Sequence, residues 1–259
     1  KSWQYVAHVS QVPDKGDYFL SEIADESVIV VRDGEGAINA LLNVCRHRGS
    51  RICDLPAGNE KRLTCKYHGW TYGLDGSLKA LGFAPEGIDK SRLGLKRLAC
   101  RVLHGLIFVN FDQDPASFEP IERDLGPLLA PWDIANAKIA HRQNYPIAAN
   151  WKLTVENYCE CYHCLPAHPE YSVGHGRAIP RKDCEVKLEE VLQRSEQVGL
   201  SRGETRHSWL DAGPVGTDRD FERYPLLRGR LTGSRHGKPV APLMGRITGY
   251  DGGTTDLHI

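Results

Sequence analysis

The sequence predicts an α+β protein, in which an all-β domain is followed by a domain that combines strands with helices. Short apolar runs alternate with clusters of turn residues as far as residue 111, which is typical of short antiparallel strands. Residues 151–163 then contain neither glycine nor proline, which indicates a helix. With 259 residues, 41% of them hydrophobic, the chain can form two domains. We place these domains at residues 1–115 and 116–259.

Apolar runs predict the strands of the first domain, at residues 5–9, 18–20, 28–31, 37–44 and 105–111. Turn residues separate the early strands at 13–16 and 33–36. The dipeptide Asp75-Gly76 predicts a hairpin after residues 64–74.

The second half of the chain begins with prolines among apolar residues at 118–132, which predict a packed connector rather than a flexible tether. Residues 141–147 are predicted to form a strand. Asn150 is expected to cap the helix that follows, and Pro166 to end that helix. Later segments are predicted as a strand at 183–193 and a loop rich in Gly, Pro and Arg at 210–245, within a 201–245 region that could cover a pocket.

Composition excludes several classes of protein. Basic and acidic residues balance at 33 each and the sequence pI is near 7.3, so no basic face for nucleic acid or anionic lipid is indicated. Neither a membrane span nor a signal peptide is indicated. The eight cysteines are therefore expected to be reduced in a cytoplasmic protein, with Cys53, Cys100 and Cys184 as ordinary buried thiols. Because the chain starts at Lys1 and its one methionine is Met244, we expect residues to precede it.

Residues 43–74 carry the strongest chemical signal in the sequence. They contain Cys45 and His47 as one pair, and Cys65 and His68 as a second pair. Such a set suits a 2Fe–2S cluster in which two histidines replace the cysteines of one iron. Cys45 and Cys65 would hold one iron, and the two histidines the other. The set also suits tetrahedral zinc, but zinc fingers usually pair Cys with Cys and His with His, which favours iron–sulfur.

The runs Cys-Arg-His-Arg-Gly at 45–49 and Cys-Lys-Tyr-His-Gly-Trp at 65–70 resemble the two ligand loops of the Rieske family. The resemblance implies that the first domain is a Rieske 2Fe–2S domain. It also implies that the cluster ligands are Cys45, His47, Cys65 and His68.

A second group of possible metal ligands follows the predicted helix. Glu160 and His163 share a helix face, and a break at Pro166 lets His168 fold back towards them. Two imidazoles and a carboxylate, with open positions left, suit a non-haem iron oxygenase. The alternative is a ferritin-like di-iron bundle, for which residues 204–207 offer a second Glu-x-x-His. The four long helices of such a bundle are not indicated.

Residues 150–158, with the pattern Glu160-x-x-His163-x4-His168, resemble the helix-grip catalytic domain of the large (alpha) subunits of Rieske non-haem iron oxygenases. The resemblance implies that His163 and His168 bind a mononuclear Fe(II). It implies that Glu160 is a bridging carboxylate, which links an iron histidine to a cluster histidine of the neighbouring subunit in a homotrimer.

The family's third iron ligand is an aspartate on a later helix, and the sequence offers no residue in that context. Asp251 and Asp256 lie next to glycine or in a predicted strand, so neither is assigned. The catalytic domain is therefore expected to be incomplete at its C-terminus.

The resemblance implies an oxygenase component that receives electrons from a flavin or iron–sulfur reductase, and indirectly from NAD(P)H, and uses O2 to oxidise a small molecule. Ring hydroxylases mostly have aspartate at the position of Glu160. A glutamate there resembles the sequences of the branch that acts on quaternary ammonium compounds such as carnitine, glycine betaine or stachydrine. Monooxygenation or N-demethylation is expected. Aromatic walls for the cation are available at Tyr158, Tyr162, Trp209 and Tyr250. The alternatives are a ring-hydroxylating dioxygenase, a Rieske electron carrier and a zinc-stabilised binding module.

Overall fold

A computed structural model describes residues 2–82, 87–159 and 163–168, together with residues 193, 196, 197 and 245. The chain divides into two compact units, one of residues 1–126 and 134–142, the other of residues 127–133 and 143 onwards. The predicted division after residue 115 stays a prediction. The strand predicted at 183–193 and the loop predicted at 201–245 lie outside the described segments, apart from their isolated residues 193 and 245.

The first unit consists mainly of β-strands, as the sequence predicts. Its described strands are β1 Gln4–His8, β2 Asp17–Ile23, β3 Glu26–Arg32, β4 Ile38–Leu42, β5 Ala57–Asn59, β6 Leu63–Thr64, β7 Thr71–Tyr72, β8 Leu78–Ala80, β9 Arg97–Leu103 and β10 Leu106–Asn110. Seven of them form an antiparallel sheet in the order β1-β10-β9-β4-β3-β2-β5. The other three form a small sheet in the order β6-β7-β8, and Asp75-Gly76 joins β7 to β8 as predicted.

Both faces of the large sheet are apolar. Side chains alternate between the two faces along a strand, so the consecutive buried residues of β3 contribute to both faces. In β3, Val28 and Val30 belong to one core cluster, and Ile29 and Val31 belong to the other. The cluster that contains Ile29 also contains the buried side chains of the small sheet, including Tyr72. Two hydrophobic cores therefore meet at β3, and one of them lies under the predicted ligand loops.

The segment after β10 is a helix, where the sequence predicts only a packed connector. Helix α1 covers Glu119–Leu129. Pro120 lies in the first turn, where a missing N–H costs nothing, but Pro127 lies inside the helix. Because proline usually argues against a helix, the sequence pattern does not predict α1. The packing is as expected: the Phe118 ring centroid lies 4.9 Å from that of Trp3 and 5.3 Å from that of Phe108.

The second unit contains helices α2 Trp151–Cys159 and α3 Cys164–Ala167. The predicted cap is confirmed, since Oδ1 of Asn150 accepts the N–H of Lys152 at 3.0 Å. The prediction that Pro166 ends a helix is wrong: Pro166 is the third residue of α3, a first-turn position that tolerates proline. No helix in the described segments is long and apolar enough to span a bilayer.

The prediction of a strand at residues 141–147 is also wrong. These residues have no regular structure, and all seven are exposed. Pro146 cannot donate to a strand ladder, and within the described residues no strand pairs with this segment.

Candidate metal centres

The four predicted cluster ligands lie on two loops at the end of the small sheet. The first loop, residues 45–50, follows β4, and the second, residues 65–70, connects β6 to β7. Both loops have the same backbone hydrogen bonds, from the N–H of the cysteine to the residue five positions later and from the glycine N–H back to the cysteine. These bonds are Cys45 N to Ser50 O at 2.8 Å, Gly49 N to Cys45 O at 3.0 Å, Cys65 N to Trp70 O at 2.8 Å and Gly69 N to Cys65 O at 2.9 Å.

A glycine is required at the turn of each loop. The φ angles are +75° at Gly49 and +71° at Gly69, a region that other residues rarely adopt. A Cβ at either position would meet no atom within 4 Å, so backbone conformation alone selects glycine. The cysteine-to-glycine spacing is the same in both loops, but the histidine is the third residue of the first loop and the fourth residue of the second.

The two cysteines lie side by side beneath the loops. Cys45 is 3% exposed and Cys65 is 2% exposed. Burial raises the pKa of the Cys65 thiol, but the N–H groups of Tyr67 and His68 and the side chains of Cys45 and Ser50 form hydrogen bonds to its sulfur, and the net pKa is below the ordinary value. These hydrogen bonds therefore make the Cys65 thiol easier to ionise, and the thiolate is the form that binds metal.

Tyr72 supplies a further contact to the cysteines. Its hydroxyl oxygen lies 3.1 Å from the N of Arg46 and 3.2 Å from Sγ of Cys45. Since the Arg46 N–H can only donate, the tyrosine oxygen accepts that bond and its own proton is available to the sulfur. Burial and the bond with Cys45 raise the pKa of Tyr72 above its ordinary value, so the hydroxyl remains a donor.

The two histidines lie together at the exposed rim of the loops. The ring centroids of His47 and His68 are 4.7 Å apart with a 68° angle between the planes. The His47 ring is parallel to Trp70 within 3° at 5.0 Å, and the His68 ring lies 3.9 Å from Tyr67. Thiols on the inside and imidazoles on the outside give the site two chemically different ends.

This donor set fits a 2Fe–2S cluster held by two cysteines and two histidines. The inner end offers two adjacent sulfurs, one with a lowered pKa, and the outer end offers two adjacent imidazoles. Among the described residues no group of three or more His, Cys, Asp or Glu side chains is placed to hold one ion. The four ligand assignments remain predictions.

Asn43 is a buried residue of this site that sequence reasoning missed. Its Oδ1 accepts the N–H groups of Ile52 at 3.0 Å and Cys53 at 2.9 Å, and its Nδ2 donates to the Cys53 carbonyl at 2.8 Å and to Ser27 Oγ at 3.3 Å. The amide thus closes the chain on both sides of the first ligand loop. No local sequence pattern marks Asn43, because its role depends on contacts with Ile52 and Cys53.

Cys53 and Cys100 behave as packing thiols. Burial raises the pKa of Cys53 to about 11 and that of Cys100 to about 11, so both remain protonated near neutral pH. Cys53 is buried as predicted, whereas Cys100 is half-buried. Cys184 lies outside the described residues.

The second predicted centre is described in part. Helix α3 brings His163 and His168 together, with ring centroids 5.4 Å apart. His163 is half-buried and His168 is exposed. Glu160 and the candidate wall residues Tyr162, Trp209 and Tyr250 lie outside the described residues, as do Glu204, Asp251 and Asp256. Of Tyr158 only its backbone position in α2 is described.

Comparison with known proteins identifies both halves of the chain. Residues 2–90 match the Rieske [2Fe-2S] domain family, and residues 134–223 match the catalytic domain of the ring hydroxylating alpha subunits. The chain therefore joins a Rieske [2Fe-2S] domain to a catalytic domain of the ring hydroxylating alpha subunit family. The resemblance to the Rieske family is thereby confirmed, and the roles of the individual site residues stay predictions.

Similar Rieske oxygenases include two curated relatives and a solved structure. The chain is 35% identical to the glycine betaine monooxygenase oxygenase subunit of Chromohalobacter salexigens, over 99% of this chain and 58% of that protein. It is 39% identical to the protein of the same name from Pseudomonas aeruginosa PAO1, over 100% of this chain and 61% of that protein. The chain therefore spans about three-fifths of the length of these relatives.

The solved structure is a quaternary ammonium Rieske monooxygenase that was analysed for carnitine oxidation by gut microbiota and inter-subunit electron transfer. It shares 33% sequence identity with this chain, with a TM-score of 0.62, over 66% of this chain and 48% of that chain.

Proposed function

We propose that this chain is the oxygenase component of a two-component enzyme, in which a reductase supplies electrons and O2 oxidises a small quaternary ammonium compound. The separation of buried cysteines from exposed histidines on two matched loops carries the proposal. The relatives support it, because their names are those of oxygenase subunits of monooxygenases. A Rieske electron carrier or a zinc-stabilised module would not need the catalytic-domain match over residues 134–223.

Cys45, His47, Cys65 and His68 would hold the cluster, and His163 and His168 the mononuclear iron. When bound, the cluster supplies one-electron transfer at a potential of roughly −150 to +300 mV, and the mononuclear iron supplies O2 activation. The hydrogen bonds to the Cys65 sulfur lower the pKa of that thiol, which favours the form that binds metal. Its exposed histidines leave one ring nitrogen of each imidazole for an outer partner.

The substrate class is proposed from two lines of support. Curated relatives are named for glycine betaine, and a similar structure was analysed for carnitine oxidation. Glu160 stands where ring hydroxylases mostly have aspartate. Monooxygenation at an N-methyl group gives a hemiaminal, whose C–N bond then breaks to release formaldehyde. A ring-hydroxylating dioxygenase is the alternative within the family.

The assignment can be tested on the full-length protein with its reductase. We expect iron and acid-labile sulfide for one 2Fe–2S cluster, and one further iron, in each subunit. We also expect formaldehyde from glycine betaine, carnitine or a related betaine, measured with and without NAD(P)H. Zinc in place of iron would contradict the proposed cofactors, and turnover confined to aromatic hydrocarbons would contradict the proposed substrate class.

A homotrimer in which Glu160 links neighbouring subunits is also proposed, and the inter-subunit electron transfer described for the similar structure supports it. Glu160→Ala is expected to retain both metal centres and to lose turnover, because no carboxylate would join the two centres. Metal analysis and product formation measure the two quantities. Glu156→Ala, an exposed change on α2, is the matched control and should keep turnover. Normal turnover in Glu160→Ala would refute the bridge.

The Tyr72 hydroxyl should raise the midpoint potential of the cluster, because a donor to Cys45 stabilises the more negative reduced state. Removing one such bond in Tyr72→Phe costs about 1 kcal/mol, so we expect the potential to fall by roughly 40 mV for one electron. A potentiometric titration followed by EPR measures it. Tyr18→Phe, which removes a hydroxyl bonded to Cys53 instead, should leave the potential unchanged. Equal potentials in Tyr72→Phe and wild type would exclude this role.

Two further predictions belong to this proposal. The division of the chain after residue 115 follows the change from strands to the connector. A cytoplasmic location follows from the expected reduced cysteines, and Cys45, Cys53, Cys65 and Cys100 are free thiols.

A further inference from the structure

Four aromatic rings form a continuous row across the exposed end of the ligand loops. Tyr67 lies 3.9 Å from His68, His68 lies 4.7 Å from His47, and His47 lies 5.0 Å from Trp70, measured between ring centroids. The two middle rings are the proposed ligands of the outer iron. Each of these imidazoles therefore has one non-ligand aromatic ring against it.

The two outer rings of the row differ in how firmly they are held. Trp70 is 9% exposed and belongs to the core cluster beneath the loops. It lies parallel to His47 within 3°. Tyr67 is 59% exposed and makes a 33° angle with His68. His47 is thus stacked on a fixed ring, whereas the ring beside His68 projects into solvent.

We infer that Trp70 and Tyr67 are positioning residues that set the ring planes of the two histidine ligands, with His47 held rigidly by Trp70 and His68 held adjustably by Tyr67. The inference rests on the proposed function, in which both histidines bind the cluster. An imidazole bound through one nitrogen can still rotate about that bond, and contacts around the ligand fix the rotation. The rotation decides where the remaining ring N–H points, so these contacts govern how each histidine meets an outer partner.

The unequal support predicts different responses to substitution. Loss of the Trp70 ring removes a buried stacking surface, so the His47 plane should move to a new orientation. Loss of the Tyr67 ring removes an exposed cover, so the His68 plane should become distributed over several orientations. Iron and sulfide content should not change, because neither side chain is a proposed ligand.

The test uses EPR of the reduced, full-length holoprotein, with the nitrogen hyperfine couplings of the ligand imidazoles as the readout. Trp70→Leu should shift the g-values and one set of nitrogen couplings, and Trp70→Phe should restore most of the wild-type spectrum. Tyr67→Leu should broaden the other set. Trp3→Leu is the control for a lost tryptophan that packs on Phe118, and Tyr5→Leu is the control for a tyrosine that is 56% exposed beside Phe108. Both controls should keep the wild-type spectrum.

Unchanged g-values and couplings in a cluster-loaded Trp70→Leu would overturn the role of Trp70, as would changes that Trp70→Phe fails to reverse. If Trp70→Leu does not retain a cluster, the spectra of Trp70→Phe and Tyr67→Leu test the inference instead. A wild-type spectrum in Tyr67→Leu overturns the inference for His68. Absence of a 2Fe–2S signal, or of nitrogen couplings, in the wild-type protein would instead overturn the proposed ligand set. The two failures are therefore distinguishable.

Discussion

A Cys65→Ala variant is expected to lose the visible absorption of the cluster, together with its iron and sulfide, while keeping the β-sheet. Cys65 is the proposed ligand whose thiol has a lowered pKa and whose sulfur accepts hydrogen bonds from two backbone N–H groups. Removing the sulfur leaves those donors without an acceptor and one iron with a single cysteine. Oxygenase activity should fall to background. Absorption spectra, metal analysis and far-ultraviolet circular dichroism measure the three quantities.

The matched control is Cys53→Ala. Cys53 belongs to the same core cluster as Cys65, but burial raises its pKa to about 11 and its hydrogen-bond partner is Tyr18. Its loss should leave a small cavity and a normal cluster. Retention of the full cluster by Cys65→Ala, or equal loss in both variants, would contradict the assignment of Cys65 as a ligand.

Replacing Asn43 by leucine is expected to be the most destabilising change in the first unit that touches no proposed ligand. The substitution leaves the N–H groups of Ile52 and Cys53 and the Cys53 carbonyl without partners in a buried environment. Each orphaned group costs about 1–3 kcal/mol, so the free energy of unfolding should fall by roughly 3 kcal/mol or more. Urea denaturation of the protein measures this change.

Asn59→Leu provides the comparison for Asn43→Leu. Asn59 is exposed and donates to the Lys15 carbonyl and to Asp17, and water can replace both contacts. Its loss should cost about 1 kcal/mol at most. Asn43→Asp keeps the Oδ1 acceptor and should be intermediate. Equal stability of the two leucine variants would show that the buried amide does not hold the first ligand loop.

Local patterns were sufficient to predict much of the first unit. The runs that became β2, β3, β4 and β10 contain β-branched and aromatic residues between turn residues, so their strand character can be read directly. Strand β9 was missed because Arg97–Leu103 mixes charged and apolar residues, and its place depends on pairing with β4 and β10. Helix α1 was missed because its two prolines argue locally against a helix.

The candidate site likewise contains residues that local patterns predict and residues that they do not. Its cysteines and histidines were predictable because their spacing carries the metal chemistry. Asn43 and Tyr72 were not, since Asn43 acts on Cys53 and Tyr72 acts on Cys45, and these contacts join residues that are distant in sequence. The sequence likewise does not show that Tyr67 and Trp70 would stand on either side of the histidine pair.

The backbone hydrogen bonds within each ligand loop have a consequence for how the protein acquires its cofactor. Each loop is closed by its own main chain, from Cys45 N to Ser50 O and from Cys65 N to Trp70 O, and these bonds use none of the side chains proposed to bind the cluster. We therefore expect the apoprotein to fold with both ligand loops already formed. Cluster binding would then replace thiol protons by iron and would order little of the chain.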